Sequence, residues 1–129
     1  MAEYLKDADS RLLVIIQIEQ IEAVENLDSI LAVPGLDALC IGPNDLSGSM
    51  GLLGQIDHPD VARAIDTIIQ KTLKTDVFLG IATGFDPVAT ARWVKKGVQW
   101  LALNTDYVNL FIQAKAVLDG VRGIEREAG

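Results

Sequence analysis

The chain has few of the residues that mark secreted or nucleic-acid-binding proteins. It contains one cysteine, Cys40, so no internal disulfide can form, and the apolar run around Cys40 is typical of a small buried side chain. Only 11 lysines and arginines stand against 18 acidic residues, and the net charge of -7 makes a phosphate backbone a poor partner. We therefore predict no nucleic-acid partner and a reducing, cytoplasmic compartment.

Long apolar runs are also missing. The longest one covers residues 12–16, far below the length that spans a membrane. Residues 1–7 lack a basic segment followed by an apolar core, so we predict neither an export signal nor a membrane anchor. Because 50% of the residues are hydrophobic and 22% are charged, we expect residues 1–129 to form a single globular domain.

Apolar runs alternate with amphipathic stretches four times along the chain. Residues 12–18 are apolar and rich in β-branched side chains, a pattern typical of a strand buried on both faces of a parallel sheet. Between Ile21 and Leu31 the apolar residues recur at three- and four-residue spacing, which predicts one amphipathic helix. The remaining predicted elements are strands at 36–41, 77–82 and 98–103, a long glycine-rich loop at 42–54, and helices that begin near His58, Asp86 and Asp106.

Four strand-then-helix units predict an α/β fold whose parallel strands are joined by right-handed crossovers. A closed (βα)8 barrel takes about 250 residues, so four units amount to half a barrel. Half a barrel leaves two sheet edges and one sheet face uncovered. We therefore expect a homo-oligomer or a complementing half-barrel as partner.

Polar residues follow the predicted strands at the points where they end. They are Gln17, Glu19, Asn44, Asp45, Thr83, Asn104 and Asp106. Functional groups of parallel α/β folds gather at these carboxyl ends. Glu19 and Asp45 would repel each other there unless a cation lay between them, and hard oxygen ligands suit Mg²⁺ or Mn²⁺. Each acid also has a plainer interpretation as a helix cap or first-turn residue, and spacing alone leaves both interpretations open.

Longer segments of the sequence identify a protein family more specifically than single residues do. The series begins with Gln17-Ile18-Glu19, continues through Pro34-Gly35-Leu36-Asp37 and Gly42-Pro43-Asn44-Asp45-Leu46-Ser47, and reaches His58-Pro59. This series resembles the HpcH/HpaI aldolase/citrate lyase family, whose loop reads Gly-Pro-x-Asp-Leu-Ser. The resemblance extends from about Tyr4 to Val121, and it implies that the chain corresponds to the C-terminal half of a TIM barrel, from the fifth to the eighth strand.

The resemblance also implies roles for the polar residues. It implies that Glu19 and Asp45 bind one divalent ion, with Mg²⁺ or Mn²⁺ preferred and Co²⁺ as a further candidate. It implies a small, pyruvate-like 2-oxo acid as ligand. The substrate-binding residues implied in the same way are Gln17, Gly42, Pro43, Asn44 and Asp45.

The activity implied by the family is that of a divalent-metal-dependent aldolase, which cleaves a 4-hydroxy-2-oxo acid to pyruvate and an aldehyde. The arginine and histidine that family enzymes use lie in the other half of the barrel, and we expect His58 to be structural. An alternative is a non-catalytic half-barrel that binds the metal and the oxo acid without turnover. A citrate-lyase type of relative is disfavoured, because such proteins usually have a Gly-x-Glu-Asp-Leu loop where this chain has Gly42-Pro43-Asn44-Asp45.

Two segments depart from the family pattern. Thr83-Gly84 stands where some relatives have Ala-Asn, and Asn104-Thr105-Asp106 stands where they have Gly-x-Asp. These departures leave the identity of the substrate open. We expect Trp93 and Trp100 to be core or interface residues.

Overall fold

Four parallel strands form one sheet in a computed structural model that describes residues 11–127. The strands lie side by side in chain order as β1 (Ile15–Ile18), β2 (Ala38–Ile41), β3 (Phe78–Thr83) and β4 (Trp100–Leu103). Every neighbouring pair is parallel. The predicted α/β class is therefore confirmed. The N-terminal segment 1–7, considered above for export signals, lies outside the described residues.

Helices connect successive strands and one follows the last strand. They are α1 (Ile21–Glu25), α2 (Leu27–Leu31), α3 (Pro43–Ser49), α4 (Pro59–Thr72), α5 (Pro87–Lys95) and α6 (Asp106–Glu127). His58 accepts a hydrogen bond from the Asp60 N–H at the start of α4, and Asp86 does the same for Ala89 at the start of α5. Within residues 11–127, no helix combines the length and the apolar character needed to cross a membrane.

The single helix predicted between Ile21 and Leu31 is wrong, because the structure has two short helices that meet at Asn26. Asn26 has φ −95° and ψ 12°, outside the helical region. Its Nδ2 donates to the Glu22 carbonyl at 2.8 Å, and its own carbonyl accepts from Ser29 Oγ at 2.7 Å. Such side chain to backbone bonds compete with the helical ladder, and here they divide it.

The glycine-rich segment 42–54 is also more regular than predicted, because it contains the seven-residue helix α3. Pro43 occupies the first helical position, where its missing N–H costs nothing. The helix ends at Met50, and Gly51 follows with a φ of +72° that favours glycine. Ser47 Oγ then accepts from the Gly54 N–H at 3.1 Å and ties the rest of the segment back onto α3.

The two faces of the sheet are packed differently. Side chains alternate along a strand, so every second residue points to the same face. The face that carries the helices, called the outer face below, holds the fully buried side chains Ile18, Leu39, Ile41, Leu79 and Ile81. On the opposite, inner face, Ile15 is 49% exposed and Phe78 is 58% exposed. The prediction of burial on both faces is therefore right for the outer face, whereas on the inner face Ala38 and Cys40 of β2 are buried and Ile15 and Phe78 are not.

Candidate functional site

The carboxyl end of β1 brings Gln17, Glu19 and Gly42 into contact. Gln17 Nε2 donates a hydrogen bond of 2.6 Å to Glu19 Oε2. A Cβ atom added to Gly42 would lie 2.8 Å from Gln17 Nε2 and 3.1 Å from Glu19 Oε2, so there is no free room for a side chain. The absence of a side chain at Gly42 therefore lets the start of α3 approach the Glu19 carboxylate closely.

Asp45 lies in the first turn of α3, the helix that begins just after Gly42. Gly42 is the N-cap residue and no side chain caps the helix, so Asp45 is not a cap, and of the plainer interpretations the one as a first-turn acid is right. The Asp45 side chain is exposed. The first helical hydrogen bond runs from the Leu46 N–H to the Gly42 carbonyl at 2.9 Å. The N–H groups of Asn44 and Asp45 precede that bond and are left for another acceptor.

A serine that the sequence analysis did not single out holds the two parts of the site together. Ser49 Oγ accepts from the Ile21 N–H at 3.0 Å and donates to the Leu46 carbonyl at 2.8 Å. It thus joins the segment after Glu19 to helix α3, which carries Asp45. The two bonded residues are 28 positions apart in the chain, so no local pattern could have pointed to Ser49.

Cys40 lies on β2, in register with Gln17 and on the same, inner face. It is buried, as the sequence predicts. Burial raises the pKa of the Cys40 thiol above its ordinary value and the nearby Glu19 carboxylate raises it further, whereas a hydrogen bond with the Ala82 backbone lowers it in part. The thiol is therefore neutral at ordinary pH, and Cys40 is not an activated nucleophile.

The donor set of the site suits a hard divalent cation held by few protein ligands. Within residues 11–127 there is no cluster of three or more His, Cys, Asp or Glu side chains. Two carboxylates are present at the carboxyl ends of adjacent strands: Glu19 after β1 and Asp45 in the first turn of the helix after β2. Mg²⁺ and Mn²⁺ are commonly held by one or two carboxylates, with water and substrate oxygens completing the shell, so the residues present fit such an ion.

Two arginines and His58 are engaged in contacts around α4. Arg63 pairs with Asp60 inside α4, and Arg92 pairs with Asp57 at 3.2 Å. His58, as expected, caps a helix.

Both tryptophans belong to the packing, as the sequence predicts. Trp93 is buried in the core, with the Arg92 guanidinium 4.8 Å from its ring centroid. Trp100 packs its indole ring over Gly80. Met50 also packs against the core.

Comparison with known proteins relates this chain to one family of enzymes. The sequence model of the HpcH/HpaI aldolase/citrate lyase family matches residues 3–111. A hydroxypyruvate/pyruvate aldolase from Pseudomonas aeruginosa is 37% identical over 106 residues, which are 82% of this chain and 39% of that protein. A 4-hydroxy-2-oxo-heptane-1,7-dioate aldolase from Salmonella paratyphi C (strain RKS4594) is 37% identical over 115 residues, 89% of this chain and 43% of that protein.

Among solved structures, an HpcH/HpaI aldolase/citrate lyase family protein from Burkholderia cenocepacia J2315 superimposes with a TM-score of 0.85 at 33% identity. The match covers 93% of this chain and 46% of the other. This chain thus spans less than half the length of these relatives.

Proposed function

Since the chain belongs to the HpcH/HpaI aldolase/citrate lyase family, we propose that it carries the metal and oxo-acid half of an aldolase-type lyase. The reaction is cleavage of a 4-hydroxy-2-oxo acid to pyruvate and an aldehyde. The observation that carries the proposal is the contact of Gln17, Glu19 and Gly42, with Asp45 in the helical turn that follows. Named relatives are aldolases for hydroxypyruvate or pyruvate and for 4-hydroxy-2-oxo-heptane-1,7-dioate.

Each residue of the site has a defined task in this proposal. Glu19 and Asp45 hold one divalent ion, Mg²⁺ or Mn²⁺ with Co²⁺ as a further candidate. When bound, the ion supplies positive charge that polarises the 2-oxo group and favours the electron pair released by carbon–carbon cleavage. The Gln17 amide fixes one Glu19 oxygen by its 2.6 Å bond and leaves the other oxygen free to bind the ion.

The start of α3 receives the substrate carboxylate in the same proposal. Pro43 has no N–H, so the first backbone donors after Gly42 belong to Asn44 and Asp45. Neither donor is used by the helical ladder, which begins at Leu46. Gly42 brings these donors close to Glu19, because a side chain at this position would press on Gln17 Nε2 and on Glu19.

A calorimetric titration tests the site. We expect Mn²⁺ to bind the chain, to bind more tightly with oxalate present, and not to bind the Glu19→Ala, Asp45→Ala double variant. A Glu25→Ala, Asp76→Ala variant is the matched control, since it removes two exposed acids at other positions and changes the net charge equally. Binding that survives in the first variant, or is lost in the control, would contradict the assignment.

A second candidate function is a half-barrel that binds metal and oxo acid without turnover. It is favoured by one observation: Arg63 and Arg92 are engaged in ion pairs and His58 caps a helix, so each of these side chains already has a partner. Release of pyruvate from a 4-hydroxy-2-oxo acid with an uncharged tail, with Mn²⁺ present, separates the two candidates. Turnover by the chain supports the aldolase, whereas oxalate-linked metal binding without turnover supports the binding module.

For the partner, we propose a complementing half-barrel of four βα units that closes the sheet. An apolar groove of about 350 Å³ lies along the free edge of β1 and is lined by Val14, Ile16, Ile30, Val33, Pro34, Gly35 and Leu36. The exposed inner face adds further apolar area. Sedimentation equilibrium tests this partner: a monomer that associates with an added half-barrel supports it, whereas a stable homo-oligomer would put a second copy in its place. The free thiol of Cys40 supports a cytoplasmic location.

A further inference from the structure

One side chain, that of Asn104, ties together the two loops that follow β3 and β4. Asn104 Oδ1 accepts from the Phe85 N–H at 2.9 Å, and Asn104 Nδ2 donates to Asn109 Oδ1 at 2.9 Å. The Asn104 N–H also donates to the Thr83 carbonyl at 3.0 Å. Three hydrogen bonds from one residue therefore fasten the segment from Thr83 to Phe85 to the first turns of α6.

The backbone at Asn104 explains why an asparagine can do this. Asn104 has φ +55°, the left-handed region that asparagine tolerates better than most residues. Its Oδ1 lies 3.7 Å from the position that a Cβ of Gly84 would take, so the amide reaches across this glycine to Phe85. The two segments that depart from the family pattern, around Thr83-Gly84 and Asn104, are thus joined by a direct bond.

This loop pair lies beside the proposed oxo-acid site. β3 is the neighbour of β2, and adjacent strands lie about 4.8 Å apart. The register pairs Ile41 of β2 with Ile81 of β3, so Gly42 and the segment after Ala82 lie at the same end of neighbouring strands. A substrate held at Glu19 and Asp45 that extends past β2 therefore meets the segment after Ala82. The apolar side chain there is Phe85, which is 60% exposed.

We propose that Asn104 is a positioning residue, which holds the Phe85 backbone in place. The Phe85 side chain then determines specificity, because it contacts the aldehyde-derived end of the substrate. This inference rests on the proposed function, because the oxo-acid end must lie at Glu19 and Asp45. An aromatic wall selects an apolar or uncharged aldehyde part, since burying an apolar chain against it is favourable and burying a charge is not.

Amide hydrogen exchange tests the positioning role without any ligand. We expect the Phe85 amide to exchange about tenfold faster in Asn104→Gly, which accepts the same backbone but loses the acceptor. Asn104→Asp keeps an oxygen acceptor and should restore protection of Phe85. Asn109→Ala is the control, since it removes only the outer bond and should leave the Phe85 amide protected. Equal exchange of Phe85 in wild type and Asn104→Gly would overturn the positioning role.

Binding of two oxo acids to the Mn²⁺-loaded chain tests the specificity role. The probes are pyruvate and 2-oxohexanoate, which carries an apolar tail on the carbon that forms the aldol bond. We expect Phe85→Ala and Asn104→Gly to lower the preference for 2-oxohexanoate over pyruvate about fivefold, while Asn104→Asp preserves it. An unchanged preference, or equal weakening of both ligands, would overturn the specificity role. If neither acid binds the wild type, the proposed function fails and the specificity role with it, and amide exchange still decides the positioning role.

Discussion

The outer and inner faces of the same sheet have different tasks. On the outer face Leu39, Ile41, Leu79 and Ile81 are fully buried beneath the helices. The inner face carries exposed Ile15 and Phe78 together with Gln17, which orients Glu19 at the carboxyl end. The alternation of side chains along each strand thus separates stability from function: one set of positions holds the fold, and the other set presents the proposed chemistry.

In the part of the chain that the structure describes, the inner face also retains one buried polar group without a hydrogen-bond partner. Trp100 Nε1 is buried and has no hydrogen-bond partner among the described residues. A buried donor without an acceptor costs free energy. Together with the exposed apolar side chains, this supports the proposal that a second half-barrel covers the inner face.

Two adjacent residues of β3 give the sharpest test of the difference between the outer and the inner face. Leu79 is 0% exposed on the outer face and Phe78 is 58% exposed on the inner face. We expect Leu79→Ala to lower the free energy of unfolding by about 3 kcal/mol, because it leaves a cavity in the core. Phe78→Ala should lower it by less than about 1 kcal/mol, although it removes the larger side chain. Urea unfolding of both variants measures the difference, and equal losses would contradict the comparison.

The general fold and the polar strand ends could be predicted from the sequence because each depends on a local pattern. Apolar runs and three- to four-residue spacing mark the βα units. Glu19 follows β1 directly, and Asp45 lies in the first turn of the helix after β2. The break at Asn26 and the bridges made by Ser49 and Asn104 could not be predicted. They are side chain to backbone hydrogen bonds, two of them between segments 19 or 28 residues apart, and no periodic signal accompanies such bonds.

The next largest effect on the free energy of unfolding is expected when a side chain is added to the crowded inner face. A Cβ at Gly80 would overlap the indole ring of Trp100. We expect Gly80→Ala to cost about 1–3 kcal/mol, since the ring must move out of its place. Tryptophan fluorescence measures the movement of the Trp100 ring, and urea unfolding measures the loss of free energy of unfolding. Gly84→Ala is the matched control: its Cβ would meet only Asn104 Oδ1, at an ordinary 3.7 Å, and a large loss there would mean that crowding at Trp100 is not the cause.

A smaller effect on stability, but a larger one on ligand binding, is expected at Gly42. A Cβ there would press on Gln17 Nε2, which can move, and on Glu19, which the proposal needs in place. We therefore expect Gly42→Ala to fold and to bind Mn²⁺ about tenfold more weakly, as happens when residues that orient metal ligands are changed. Calorimetry measures this. Gly120→Ala, with nothing within 4 Å of its Cβ, should bind Mn²⁺ as the wild type does.

The smallest effect concerns the inner-face thiol and the pH dependence of stability. The pKa of Cys40 is raised above its ordinary 9.0 by burial and by the Glu19 carboxylate. The folded chain therefore keeps the thiol proton at a pH where the unfolded chain has lost it. Because the folded state then binds more protons, this contribution to the free energy of unfolding is fully present below the unfolded pKa and falls as pH rises above it.

Urea unfolding between about pH 8 and pH 10 measures this contribution, since an unperturbed thiol titrates in that range. Cys40→Ala should remove it, so the stability of the variant should decline less steeply than that of the wild type. Glu19→Gln should weaken the decline only in part, because burial, the larger cause, remains. If Glu19→Gln removed the whole decline, the carboxylate rather than burial would control the thiol, and the carboxyl end of the inner face would be more polar than its packing indicates.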